Sequence, residues 1–205
     1  MAASARLLIA SRSADKLREI RHILGRLRGV ELLSLEDAGI TPDPAEDTLE
    51  AFPTFRENAL AKARYFAART GLAVLADDSG IEVEALHGAP GVRSRRYSGR
   101  DDLAGAELDR ANNARLLEQL RDVTPSRRGA RYVCAAVRLD PDGTVRTALG
   151  TCTGRILDAA RGTGGFGYDP LFWIDALQCS FGELDPDQKH RFSHRARAFR
   201  ALANA

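Results

Sequence analysis

Short apolar runs alternate with apolar positions at helical spacing, and their order predicts the elements of the chain. "LLIA" at 7–10 reads as a buried strand, and the polar loop "SRSADK" follows it. Leu17, Ile20, Ile23, Leu24 and Leu27 then recur at helical spacing. Strand, loop and helix in that order open an α/β layout. The stretch 39–53 is rich in acids and prolines and predicts a loop. Thr54 and Glu57 have the spacing of a capping box, so a helix begins there, runs to about Arg69 and stops at Gly71. "LAVLADD" at 72–78 is a second buried strand, closed by Asp77 and Asp78. "SGIEVEAL" turns into a half-buried strand through the alternating Ile81, Val83 and Ala85. Residues 101–121 predict an amphipathic helix striped by Leu108, Ala111, Leu117 and Leu120. "RYVCAAVRL" and "TVRTALGTCTGRIL" flank "DPDG", a hairpin signal. "PLFWI" is a short strand, and Asp185-Pro186 and Ser193 each start a helix. No linker divides the pattern, so residues 1–205 read as one domain.

Composition narrows the function classes. A chain of 205 residues, 44% of them hydrophobic, can bury a real core. A net charge of +2 without a basic block gives nucleic acid no electrostatic footprint. No apolar run approaches the ~18 residues of a membrane span, and the apolar stretch near the N-terminus is short for a signal peptide. The three cysteines, Cys134, Cys152 and Cys179, are odd in number and form no C-x-x-C. That argues against a disulfide framework or a zinc site and fits a reducing, cytoplasmic setting. Of the 30 basic residues only Lys16, Lys62 and Lys189 are lysines. In so Arg-biased a chain each is a candidate for a role that needs a compact ammonium.

Four constellations bear on chemistry. A loop from a strand end to a helix start is a natural anion site, so Ser11, Ser13 and Lys16 are phosphate candidates, although capping by Ser13 alone explains the loop too. Lys62 falls on the apolar arc of its helix beside Phe55 and Phe66, one turn after Asn58, where a cation is costly without a partner. Asp77 and Asp78 close their strand and point to its opposite faces, so one faces a site and the other braces the turn. His194 and Arg195 occupy the first turn of a helix, where cations are disfavoured unless an acceptor or anion sits opposite. A fifth stretch, "GTGGFGYDP" at 162–170, has the G-x-G-x-x-G spacing of a dinucleotide site. Pro170 and a β-rich run follow it where that site needs a helix, so a nicotinamide cofactor is rejected. The glycines are read instead as letting backbone approach a planar ligand stacked on Phe166.

Taken together, the blocks "LLIASRSADKLREI", "TFRENALAKAR", "LADDSGIEVEALHGAPGVRSRRYSG", "GTGGFGYDPLF" and "FGELDPDQKHRFSHRARAFRAL" resemble the inosine triphosphate pyrophosphatase family, hydrolases that clear deaminated purine nucleotides. The resemblance spans nearly the whole chain. It implies that Ser11 and Lys16 lie in the phosphate loop, Lys62 at the triphosphate, and Ser79 at the substrate. It implies that Asp78 is general base and metal ligand, and that Glu50 is a second acid at Mg²⁺, with Glu46 and Asp47 as rivals. Phe166, Gly167, Tyr168 and Asp169, with Lys189, His194 and Arg195, match the base-binding set. Ser13 stands where the family has Asn, and Arg12, just before it, is a candidate to replace the lost phosphate contact.

The expectation is therefore an α/β fold with a long mixed central sheet flanked by helices and an active-site cleft between two lobes. The expected activity is Mg²⁺-dependent hydrolysis of ITP, dITP and XTP to the monophosphate and pyrophosphate by a cytoplasmic homodimer, without nucleic-acid or membrane partners. The alternatives are a Maf-type nucleotide pyrophosphatase with another base preference and a nucleotide sensor that binds without cleaving.

Overall fold

The computed structural model describes residues 5–25 and 29–204. Leu27, expected in the first helical stripe, lies outside the described residues. Among the described residues the strands are β1 (Ala5–Ile9), β2 (Val30–Leu33), β3 (Ala73–Val83), β4 (Gly129–Leu139), β5 (Val145–Ile156), β6 (Phe172–Ile174) and β7 (Cys179–Ser180). The α-helices are α1 (Ala14–Leu24), α2 (Phe55–Thr70), α3 (Gly105–Gln119), α4 (Pro186–Phe192) and α5 (His194–Ala203). The strands form one mixed sheet in the order β2-β1-β3-β4-β5-β6-β7. β1 runs parallel to β2 and β3, whereas β5–β6 and β6–β7 are antiparallel. This is the expected α/β class.

The chain gathers into two compact units. The first holds the residues up to Asp78, Cys134–Gly150 and the residues from His194 on; the second holds Ser79–Val133 and Thr151–Ser193.

In the first unit the period-two alternation of the strands sorts the core into two layers. Leu8, Ala10, Val74, Ala76 and Val137 pack on Ala59, Ala63 and Phe66 of α2. Leu7, Ile9, Leu75, Cys134 and Ala136 pack on Ile20 and Leu24 of α1 and on Phe199 and Leu202 of α5. Each large apolar side chain buried this way contributes about 1.5–3 kcal/mol. Helix α2 is bounded as its sequence predicts. Thr54 Oγ1 accepts from the Glu57 amide at 3.2 Å and donates to Glu57 Oε2 at 2.7 Å. Gly71 ends the helix in the left-handed region at φ 65°. In the second unit Ile81, Val83, Tyr132, Cys152 and Ile156 of the strands pack with Leu116 of α3, with Leu120 at its C-cap, and with Tyr168, Phe172 and Phe181.

Two expectations are corrected. "LAVLADD" and "SGIEV" are not two strands: β3 runs unbroken from Ala73 to Val83, so Asp77 and Asp78 lie in mid-strand rather than at its end. Polar partners meet both carboxylates, so the chain needs no turn to bring them to water. The buried stripe of α3 is Asn112 and Leu116, continued by Leu120 at its C-cap, whereas Leu108, Ala111 and Leu117 are only half-buried. Asn112 earns its burial by accepting from the Ser98 amide at 2.8 Å and donating to the Arg95 carbonyl at 2.9 Å. A tertiary bond thus outranks the apolar pattern there.

Candidate active site

The first unit collects an ionic cluster around the middle of β3. Alternation places Asp77 on the face of α1 and α5, and Asp78 on the face of α2. Helix α1 starts at Ser13, whose hydroxyl accepts from the Lys16 amide at 3.3 Å, while Ser11 Oγ accepts from the Ser13 amide at 3.2 Å. This cap sets Lys16 in the first turn, and its Nζ lies 3.4 Å from Asp77 Oδ2. Asp77 Oδ2 also receives Arg195 Nε at 3.3 Å and faces the Cys134 thiol at 3.8 Å. Burial opposes the charge of Asp77, but Lys16, Arg195 and Lys62 hold its carboxyl well below the usual range. Its Oδ1 is buried with no hydrogen-bond partner.

On the other face, Lys62 projects from the apolar arc of α2 and is almost fully buried. Its Nζ donates to Glu50 Oε1 at 2.6 Å and to the Asp77 carbonyl at 2.6 Å, and sits 4.0 Å from Asp78 Oδ1. Burial works to neutralise the ammonium, but Glu50, Asp78 and Asp77 hold its pKa above the ordinary value. For Glu50 burial favours the neutral acid; Lys62 and Lys16 outweigh it and bring the carboxyl down to about 2. Asp78 goes the other way. Burial raises its pKa, Glu50 adds to the rise, and Lys62, Lys16 and a 2.9 Å bond from Asn58 Nδ2 offset only part of it. One lysine thus serves two acids of opposite character: Glu50 stays charged, and Asp78 is the more basic.

In the sequence Asn58 stands out only as a neighbour of Lys62. Its amide also accepts from the Phe52 backbone at 2.9 Å, so it ties the loop before α2 to Asp78. Because it stabilises the ionised form of Asp78, Asn58→Ala raises the Asp78 pKa further. If Asp78 acts as a base, activity is lost as pH falls through that pKa. The acid limb of the kcat/KM profile should therefore move to higher pH in the variant; a limb that stays put or moves down contradicts this assignment.

The structure also separates the rival acids. Glu46 is held by Arg12, whose Nη2 and Nε reach it at 2.7 and 2.9 Å, and Asp47 is exposed. The remaining Arg12 bonds go to the carbonyls of Ile40 and Thr41 at 2.8 and 3.0 Å. Arg12 therefore fastens the loop over 40–46, and its fork is committed there rather than offered to a phosphate.

Arg195 is the sharpest departure. It was expected to contact a base; instead it is 1% exposed, with its guanidinium between Asp77 and Glu19. The short contact to Glu19, a residue of α1, completes a chain Lys16–Asp77–Arg195–Glu19. A cation in the first turn of a helix needs an anion opposite, and two carboxylates supply it here. Glu19 gave no signal in the sequence beyond a charge on a helix that turns out to be buried. His194 is buried at the start of α5.

The second unit holds the other predicted residues. Lys189 Nζ meets Asp169 Oδ2 at 2.5 Å and lies 4.7 Å from the centre of the Phe166 ring. Asp169 also receives the Phe166 amide at 2.8 Å and the Tyr132 hydroxyl at 3.2 Å. Gly167 is pinned through its amide to Asp109 at 2.7 Å and through its carbonyl to Asn113 at 2.9 Å. Tyr168 is buried and donates to the Ser94 carbonyl at 2.8 Å, and burial pushes its hydroxyl pKa up. Phe166 is thus held on a loop braced at both ends. Ser79 lies on β3, directly after Asp78.

Two of the glycines of "GTGGFGYDP", Gly162 and Gly165, have a different role from the one expected, whereas a Cβ on Gly167 would meet nothing within 4 Å. A Cβ on Gly162 would stand 2.1 Å from the Gly182 carbonyl oxygen, and one on Gly165 would stand 2.0 Å from Asp169 Oδ2. Both also have positive φ. Close packing of the protein on itself, rather than approach to a ligand, requires them.

The chain is similar to known proteins over nearly its whole length. The model of the Ham1 family matches residues 7–205. A dITP/XTP pyrophosphatase of Frankia alni is 49% identical, over 97% of this chain and 95% of its own. One of Nocardia farcinica is 48% identical, over 98% and 94%. Among solved structures, a HAM1 protein from Coxiella burnetii superposes with a TM-score of 0.83 at 34% identity, covering 98% of this chain and 97% of its own. A nucleoside-triphosphatase, dITP/XTP pyrophosphatase, from Mycobacterium abscessus gives 0.71 at 40% identity, covering 98% and 100%.

Proposed function

The chain belongs to the Ham1 family, and from that membership and the ionic cluster on β3 we infer that it is a nucleoside triphosphate pyrophosphatase acting on deaminated purine nucleotides. ITP, dITP and XTP are hydrolysed to the monophosphate and pyrophosphate. The observation that carries the residue roles is the buried pairing of Lys62 with Glu50 beside a more basic Asp78.

In this reading water adds to the α-phosphorus, the bond from that phosphorus to the bridging oxygen breaks, and pyrophosphate departs with the oxygen. Asp78 takes the proton of the attacking water, and its raised pKa makes it the stronger base. Lys16 and Lys62 neutralise charge that grows on the phosphate oxygens, with Ser11 and Ser13 as hydroxyl partners in the loop before α1. Asp77 acts through others: it holds Lys16, and its carbonyl holds Lys62.

The donor set suits a hard divalent cation. Asp78 and Glu50 offer carboxylate oxygens, and Mg²⁺ characteristically takes one or two of these together with substrate phosphates and water. Among the described residues no group of three or more His, Cys, Asp or Glu is arranged to hold a metal. Bound there by Asp78 and Glu50, Mg²⁺ would supply charge neutralisation on the phosphates.

The base falls to Phe166 as stacking face and to Gly167, Tyr168, Asp169 and Lys189 around it. A 6-keto purine presents an acceptor to Lys189 and backbone amides, where adenine presents a donor. Ser79 completes the substrate contacts. Both units are read as one catalytic domain, working as a homodimer. No described helix is long and apolar enough to cross a membrane, and three free cysteines support a cytosolic setting.

Pyrophosphate release from ITP, XTP, GTP and ATP, with and without Mg²⁺, tests the reading. ITP and XTP should be turned over at least about tenfold faster than ATP, since a site built for an acceptor leaves a buried donor unpaired against adenine. Equal rates on all four would sink the base assignment, and full activity in a chelator would sink the metal.

A further inference from the structure

A pocket of about 220 Å³ opens in the second unit, and none of its lining residues belongs to the substrate sets above. Three guanidiniums line it, those of Arg128, Arg155 and Arg161, against a single lining carboxylate, Asp158. Trp173 forms its aromatic wall.

Arg128 comes from the residue before β4 and is 8% exposed. Its Nε and Nη2 donate to the carbonyls of Val123 and Leu120 at 2.9 Å each, and Nη1 reaches that of Leu157 at 3.4 Å. Carbonyls satisfy donors but leave the charge intact, and a buried cation without a carboxylate is costly. Arg161 is exposed, and its guanidinium lies 5.2 Å from the centre of the Trp173 ring. It makes no ion pair among the described residues. Arg155 lies 5.4 Å from the same ring and shares Asp175 Oδ1 through Nε at 3.0 Å, leaving its terminal nitrogens uncommitted.

These observations point to an anion. The uncommitted donors are the planar forks that match oxyanions in pairs. The volume is below the ~300 Å³ at which sites for drug-sized ligands begin, which favours a small ligand. Two guanidiniums already lie on the indole, so the ring is not offered to a nucleobase. We propose that Arg155 and Arg161, with the buried charge of Arg128 lining the same pocket, form a second anion site, distinct from the catalytic cluster, for a small phosphate-class oxyanion. Pyrophosphate is the occupant that the protein itself releases; that assignment rests on the proposed activity, whereas the anion chemistry of the pocket does not.

Trp173 is the chain's only tryptophan, so its fluorescence reports the pocket directly. The full-length protein is titrated with sodium pyrophosphate, and separately with inorganic phosphate, at constant ionic strength, with chloride as the control. A saturable change with both phosphate species and none with chloride is expected, tighter for pyrophosphate if the product is the occupant. Arg161→Gln, on the surface, should weaken binding about tenfold while turnover of ITP stays unchanged. Asp158→Asn removes the opposing charge and should tighten binding about threefold, an effect that a merely structural role would not produce. Lys16→Gln, which disables the catalytic cluster, should leave the fluorescence response in place. Three results would overturn the proposal: no saturable response, the same response with chloride, or a response lost in Lys16→Gln and untouched by Arg161→Gln. None of them bears on whether ITP is hydrolysed.

Discussion

Replacing Asp78 by Asn lowers pyrophosphate release from ITP by about 10²–10⁴-fold, the range lost when a positioned general base is removed. The substitution is nearly isosteric and keeps an oxygen to accept the 2.9 Å bond from Asn58. It removes the acceptor for the water's proton, one of the two carboxylates assigned to Mg²⁺, and one charge beside Lys62. The variant should fold, because Lys62 keeps Glu50 and the Asp77 carbonyl, each at 2.6 Å. It should also still bind nucleotide, since the lysines assigned to the phosphates are untouched. The loss should therefore appear in kcat with KM little changed, in a steady-state assay at saturating metal. If Asp78→Asn retains more than about a tenth of the rate, another group takes the proton and the assignment fails.

The second large effect is on stability. Arg195→Ala leaves Asp77 and Glu19 as buried carboxylates without their shared cation. Breaking a buried ionic network by removing one partner costs about 3–5 kcal/mol. For a chain of this size each kcal/mol lowers Tm by about 2–4 °C, so a fall of roughly 6–20 °C is expected by calorimetry. Arg195→Lys should recover only part of it, because an ammonium cannot span both carboxylates as the fork does. Asp77 also holds Lys16, so whatever Arg195→Ala protein remains folded should show reduced turnover on every substrate alike. A variant with wild-type Tm and an altered preference between ITP and ATP would instead restore Arg195 to the base-binding set.

Much of this site was visible along the chain. Lys62 stood out as a cation on an apolar arc, and it is buried with the partners that such a position demands. All three lysines end on carboxylates: Lys16 on Asp77, Lys62 on Glu50 and Lys189 on Asp169. The tandem acids of β3 do lie on opposite faces of the strand, Asp77 toward Lys16 and Arg195 and Asp78 toward Asn58, because successive side chains alternate, but neither braces a turn. The strand end placed at Asp78 was wrong for a reason of the same kind. Two acids in a row suggest a turn when their partners are unseen, and those partners sit on α1, α2 and α5.

By itself the sequence determined what depends on near neighbours. Apolar periods of two and 3.6, caps at Ser13, Thr54 and Asp185, and the stop at Gly71 are decided within a few residues, so strands and helices could be placed by reading along the chain. The tertiary structure alone decided which charges meet. Arg195 finds Asp77 across 118 residues and Glu19 across 176, and no spacing rule reaches so far. The same holds for Glu50 rather than Glu46 at Lys62, and for the glycines at 162 and 165, whose missing side chains make room for the backbone of Gly182 and the carboxylate of Asp169. A buried charge takes whichever partner folding brings within about 3 Å, and only the folded chain fixes that distance.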